Sequence, residues 1–241
     1  MSRVALVTGA AGGIGSATVA KLVAQEYAVV GVDLREAPTS EEVAHVVGDV
    51  RDRDVLQRAV DTAIERWGRL DAAVAAAAVI AGGQPLWETT DAELTELLDV
   101  DVRGVWNTAA VAVPAMLDGP DPSGCRFVAV ASAAAAHGLY HLAAYTTAKH
   151  AVVGVVRGLA ADLVGTGATA VVVSPGSTRT DMLTETARLY HLSDPEEFSA
   201  SQLLRRLLEP DEVAATIAFC CSPEGGVLNG GVVHADGGFR P

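Results

Sequence analysis

The sequence predicts an α/β fold: one domain built on a doubly wound parallel sheet of about seven strands, with helices on both faces. Three observations predict it. Short β-branched or apolar runs alternate with longer segments of helical periodicity, a glycine-rich turn joins the first run to the first helix, and no linker, charge block or repeat divides the 241 residues. Parallel neighbours need a crossover connection, and the intervening helices supply one.

In chain order, strands are expected at 4–7, 28–32, 43–47, 70–77, 127–131, 170–173 and 232–234. Helical periodicity occupies 13–26, 52–67, 90–117, 143–164 and 211–221. Thr90 and Glu93 have capping-box spacing, and Pro210 opens the last helix. Residues 178–209 interrupt the alternation. They have helical character at 182–189 and 201–208 around "HLSDPEEF", and an insertion before the last strand reads as a substrate lid, or as extra packing only, on a domain spanning 1–241.

Half of the residues are hydrophobic, enough for a sizeable core. A net charge of −13 repels phosphate backbones and anionic lipid, which argues against nucleic acid and membrane surfaces as partners. Cys125, Cys220 and Cys221 form no even disulfide framework, so a reducing, cytoplasmic setting is expected. The first ten residues lack the architecture of a secretory signal, and no run of eighteen apolar residues suggests a membrane span.

"VALVTGAAGGIGSATVAKL" places Gly9, Gly13 and Gly15 between a strand and a helix start. Glycine lets the backbone turn tightly and approach a pyrophosphate resting on the helix N-terminus. The spacing is G-x-x-x-G-x-G, and Ile14 follows Gly13 where a triphosphate loop needs lysine. Read alone, such a turn can be merely a tight connection. The second strand adds Asp33, eighteen residues past Gly15, whose carboxylate can take a ribose diol and repels a 2′-phosphate. This favours NAD, although Arg35 is near.

"SAAAAHGLYHLAAYTTAK" contains Ser132, then Tyr145 thirteen residues on and Lys149 four beyond that. At i and i+4, the phenol and the ammonium share a helix face. Y-x-x-x-K by itself is common on solvated helices; combined with the glycine pattern and a strand-end serine it becomes specific.

Together these pieces make the chain resemble the short-chain dehydrogenase/reductase family over nearly its whole length. "TGAAGGIG", Asp33, "GDV" ending at Val50, Ser132, "YTTAK", "SPGSTRT" and "HADGGF" occur in family order. The resemblance implies a Rossmann-like fold and an NAD-dependent oxidoreductase interconverting a secondary alcohol and a ketone. It makes Tyr145 the acid/base, has Ser132 hold the substrate oxygen, and has Lys149 bind the nicotinamide ribose and lower the tyrosine pKa. Asp49 would meet the adenine with Val50 beside it. Ile14, Leu34 and Ala77 join the glycines in the cofactor set, and Pro175, Gly176, Thr178 and Thr180 would border the nicotinamide. A homotetramer, or a homodimer, is also implied, with 90–117 and 143–164 as interfaces. "VAAAAVIAGG" and "VVVSPGS" look like a branch associated with the redox carrier mycofactocin, whose members hold NAD tightly.

Two positions depart from the family. Ala75, Ala76, Ala77 and Ala78 replace the usual N-N-A-G, and Asp101 stands where the relay asparagine is common. Asp101 also falls on the apolar stripe Leu94, Leu97, Leu98, Val105, Thr108, Ala112, where a carboxylate must be paired, hydrogen-bonded or neutral. It is expected to be ionised and coupled to Lys149, protonated as an asparagine mimic, or bound to local backbone.

His137, Tyr140 and His141, with Tyr190 from the lid, are candidate substrate contacts. A metal pair at His137 and His141 is not expected, since Gly138 interrupts any helix and no further ligand follows at suitable spacing. Trp87, Trp106 and Met182 read as core or interface. A noncatalytic NAD-binding redox sensor or scaffold is the alternative, but has no need of serine, tyrosine and lysine together. An epimerase or dehydratase would need a larger C-terminal domain.

Overall fold

A computed structural model describes residues 2–240. Seven parallel strands form one sheet in the order β3-β2-β1-β4-β5-β6-β7. They are β1 (Val4–Thr8), β2 (Ala28–Asp33), β3 (Val43–Val47), β4 (Ala72–Ala75), β5 (Arg126–Val130), β6 (Thr169–Pro175) and β7 (Val232–Ala235). β1, β4 and β5 are buried throughout, as parallel strands covered on both faces must be. The chain leaves β1 toward β2 and β3, then returns to β4 on the other side. This reversal opens a crevice beyond the carboxyl ends of β1 and β4.

Helices α1 (Gly13–Ala24) and α7 (Pro210–Cys221) cover one face. On the other lie α2 (Arg53–Trp67), α4 (Gly104–Leu117) and α5 (Ala143–Asp162). Local chemistry sets the helix ends. Asp52 caps α2, which stops at Gly68 in the left-handed region (φ 75°). A reciprocal capping box of Thr90 and Glu93 starts α3 (Asp91–Leu97), and Pro210 begins α7.

Three expectations need correction. Residues 90–117 are not one helix: a π-helical segment at Leu98–Arg103 separates α3 from α4. The stripe nevertheless stays buried at Leu97, Asp101, Val105, Thr108 and Ala112, and only Leu94, ahead of the wider turn, reaches the surface at 36% exposure. No helix forms over 201–208. A 3₁₀ helix occupies Pro195–Ser201, after which Gln202 bridges Phe239, and the Leu203 and Leu204 amides donate to Gly238 and Gly237 instead of to a helical turn. The fourth strand is shorter than 70–77, because the Ala76 and Ala77 amides leave the ladder for the Thr8 hydroxyl. No helix among the described residues is long and apolar enough to cross a membrane.

Candidate active site

Past the strand ends lies a cleft of about 950 Å³, the size of a ligand site. The glycine turn forms one end of it. Gly9 has φ +70°, and a Cβ there would sit 2.8 Å from the Ala77 Cα; one at Gly15 would sit 1.9 Å from the Gly9 carbonyl oxygen. Both positions exclude a side chain so that β1, α1 and the loop after β4 can close on each other. Gly12 caps α1 without a side chain, leaving first-turn amides uncapped at the cleft wall. Such an end favours an anion.

All the expected cofactor positions line this cleft: Gly9, Gly13, Ile14, Gly15, Asp33, Leu34, Asp49, Val50, Ala77, Pro175, Gly176, Thr178 and Thr180. Asp33 accepts the Ala11 amide at 3.0 Å through Oδ2 and the Arg35 amide at 3.0 Å through Oδ1. Arg35 reaches across the turn and donates to the Ala11 carbonyl at 2.8 Å. The Asp49 carboxyl is held below its ordinary range by its hydrogen bonds from the Arg51 side chain, the closest at 2.6 Å. Behind it, buried Asn107 donates to the Val50 and Arg51 carbonyls and accepts from Arg53 Nε at 2.9 Å. Asn107 thus braces the loop after β3. Nothing in its helical context distinguished it in the sequence.

At the other end, β5 delivers Ser132 and α5 presents Tyr145 and Lys149 from one face. Lys149 Nζ lies 5.4 Å from the centroid of the Tyr145 ring. Asp101, from the π segment, stands behind them. Its Oδ2 is 3.0 Å from Lys149 Nζ and its Oδ1 accepts the Val79 amide at 2.8 Å. The Lys149 contact is an ion pair between two buried side chains. Both carboxylate oxygens therefore face donor groups.

Burial opposes the Lys149 charge, but Asp101 and Tyr145 together outweigh it and hold the ammonium above its ordinary value of 10.5. For Tyr145 the balance differs from expectation. Burial pushes the phenol above its ordinary 10.0, Lys149 and Ser132 pull it down, and Asp101 adds to the rise. The lysine does favour the phenolate, but its neighbouring carboxylate offsets part of its field.

Where the usual asparagine is missing, Thr8 braces the loop after β4: its Oγ1 accepts the Ala76 amide at 3.1 Å and the Ala77 amide at 3.3 Å. Tyr140 and Tyr190 line the cleft, but His137 and His141 do not. His137 faces the Phe239 ring, and His141 stacks on Tyr140 while its carbonyl accepts the Gly83 amide. Met182 also lines the cleft, contrary to its reading as core or interface, whereas Trp87 and Trp106 are 81% and 57% exposed. Among the described residues, no three His, Cys, Asp or Glu side chains gather to hold a metal.

Residues 9–240 match the family model described as Enoyl-(Acyl carrier protein) reductase. The chain is 36% identical over 251 residues to the short-chain reductase protein NovJ of Streptomyces niveus, covering 99% of this chain and 94% of that one. It is 33% identical over 253 residues to the A-factor type gamma-butyrolactone 1'-reductase (1S-forming) of Streptomyces virginiae, covering 98% and 95%. The crystal structure of a levodione reductase superposes with a TM-score of 0.90 at 28% identity, covering 98% and 96% of the two chains.

Proposed function

Because the chain belongs to the short-chain dehydrogenase/reductase family, we propose that it is an NAD-dependent oxidoreductase that interconverts a secondary alcohol and a ketone, with Tyr145 as acid/base. One observation carries this reading: the buried Tyr145–Lys149 pair and Ser132 lie on the same cleft as the uncapped N-terminus of α1. A redox sensor needs the second feature alone.

The residues fit a dinucleotide. The α1 amides would hold the pyrophosphate, Asp33 the adenosine ribose, and Lys149 the nicotinamide ribose. Asp33 supports NAD over NADP by repelling a 2′-phosphate, and the Arg35 side chain, tied to the Ala11 carbonyl, is partly withdrawn from that role. When bound, the nicotinamide supplies the hydride donor or acceptor.

The chain's own groups manage the proton and the substrate oxygen. Ser132 holds that oxygen by a hydrogen bond, orienting the carbon toward the cofactor side. In reduction, neutral Tyr145 donates its phenolic proton to the forming alkoxide; in oxidation the phenolate removes the alcohol proton. Burial of the phenol suits the acid role from the outset, and the base role gains from every nearby positive charge. Asp101 acts through Lys149 as a positioning residue. Residues 178–209 serve as the lid, which the Tyr190 hydroxyl fastens by donating to the Tyr140 carbonyl. Three buried, free cysteines suit a reducing cytoplasm, and the exposed Trp106 on α4 suits assembly into a homotetramer or homodimer.

The test is NADH absorbance during turnover of secondary alcohols and ketones, with Tyr145→Phe as the comparison. The variant is expected to lose about 10²–10⁴-fold in kcat while still binding NAD. Undiminished turnover by Tyr145→Phe would sink the mechanism.

A further inference from the structure

Charge and polarity are distributed unevenly along the cleft. Its lining cations are Arg35, Arg51 and Lys149, and each already faces a carboxylate: Asp33 at 3.7 Å, Asp49 at 2.6 Å and Asp101 at 3.0 Å. The two arginines belong to the end formed by β2 and β3. Near Tyr145 the walls include Val79 and Ile80 from the loop after β4 and Leu139 and Leu142 from the loop after β5, while Leu192 and Phe198 line the cleft from the lid. Four of these, Val79, Ile80, Leu139 and Leu142, belong to or pack against the same buried cluster as Tyr145.

Some of the polar groups on this side are engaged elsewhere. The Tyr190 hydroxyl donates to the Tyr140 carbonyl, and Thr186 Oγ1 donates to the Met182 carbonyl at 2.7 Å. Helix α6 (Asp181–Leu189) adds Asp181 and Glu185 to the lining, the latter bound to Arg188 at 2.6 Å. Ser177 and Ser201 contribute uncharged hydroxyls. A ligand's phosphate or carboxylate would meet acidic side chains here and no unmatched cation, against a background of net charge −13. A polyhydroxylated face would lose water along the apolar stretch of wall and recover hydrogen bonds only where Asp181, Glu185, Ser177 and Ser201 stand.

We infer that the substrate is an uncharged, largely apolar ketone or secondary alcohol, whose carbon skeleton packs between the loops after β4 and β5 and the lid. The same walls disfavour an anionic carrier on that substrate, notwithstanding the description of the matching family model. The inference rests on the oxidoreductase reading for the identity of the reacting group, but on the wall chemistry for everything else.

Two measurements on the full chain saturated with dinucleotide separate the two ideas. Calorimetric binding and NADH-monitored turnover are read for alkylcyclohexanones of increasing chain length, for a ketose, and for one β-ketoacyl group carried on either N-acetylcysteamine or coenzyme A. Affinity is expected to rise about fourfold per added methylene while the wall is being covered. The coenzyme A thioester is expected to be at least about tenfold poorer than its uncharged counterpart, the equivalent of one unfavourable charge contact. The inference is overturned if no cyclohexanone binds, if affinity ignores chain length, or if the ketose or coenzyme A thioester is preferred. Binding with the expected gradient but without hydride transfer would uphold it and overturn the oxidoreductase reading instead. Turnover confined to charged or polyhydric carbonyls would do the reverse.

Discussion

Lys149 Nζ lies 3.0 Å from Asp101 Oδ2, with the residues 2% and 0% exposed, so this cleft-lining lysine has its own buried carboxylate partner. Taking two charges out of water is costly, and removing one partner strands the other. The π segment makes the pairing possible by turning Asp101 inward, and the Val79 amide fixes the second carboxylate oxygen.

Asp101→Asn is therefore expected to destabilise the protein by about 3–5 kcal/mol, the usual cost of breaking a buried pair from one side. The sign with pH follows from Lys149, whose folded value is raised. Its contribution is fully present below the ordinary 10.5 and is lost as pH rises through the folded value. Denaturant unfolding of both forms at neutral pH and above pH 10.5 checks this, since the gap should narrow at the higher pH. A constant gap would show that the charge pair is not its source.

The same substitution should move the base limb of alcohol oxidation. Asp101 raises Tyr145, so its removal lowers the phenol provided Lys149 remains charged, and the limb shifts to lower pH. A kcat/KM profile measured for both proteins reads the direction; a shift to higher pH would contradict the electrostatic arrangement.

Without cofactor, Tyr145 should ionise above 10.0, because burial outweighs the pull of Lys149 and Ser132. Tyr27 and Tyr190 are also pushed up, each to about 12. An ultraviolet difference titration against Tyr145→Phe isolates the phenol of interest. Adding oxidised NAD, whose ring is positively charged, should bring it down.

Asp33→Ser removes the carboxylate that would oppose a 2′-phosphate and frees Arg35 from its 3.7 Å partner. The ratio of kcat/KM for NADP over NAD is expected to rise by at least about tenfold, since a like-charge contact costs several kcal/mol and 1.4 kcal/mol is tenfold. An unchanged ratio would remove Asp33 from cofactor choice.

Thr8→Val keeps the shape of a 1%-exposed side chain but deletes the acceptor for two loop amides. A loss of about 1–3 kcal/mol is expected, the cost of leaving a buried donor unpaired. Thermal unfolding measures it, and weaker NAD binding should accompany it because Ala77 borders the cleft.

Much of this molecule could be read from residue order. Strand–helix alternation, the turn of Gly9, Gly13 and Gly15, and the helical spacing of Tyr145 and Lys149 are local patterns, and local patterns specify local backbone. They determined the α/β class, the seven strands and the reaction family. Asp101 was visible as an anomaly on an apolar stripe, but the stripe assumed one helical period. The π turn at Leu98–Arg103 packs against α5, and its Asp101 accepts the Val79 amide of the loop after β4, contacts that no single segment encodes. For the same reason, Asn107, Thr8 and the pairing of residues 202–204 with the C-terminal segment escaped notice: their partners lie 32 or more residues away in the chain. The sequence by itself determined which chemical groups exist and roughly which strand end or helix carries each. Only the tertiary structure decided that the lysine has a carboxylate beside it, that His137 and His141 are kept off the cleft, and that burial raises Tyr145, because charge, exposure and pKa depend on what the folded chain brings within a few ångströms.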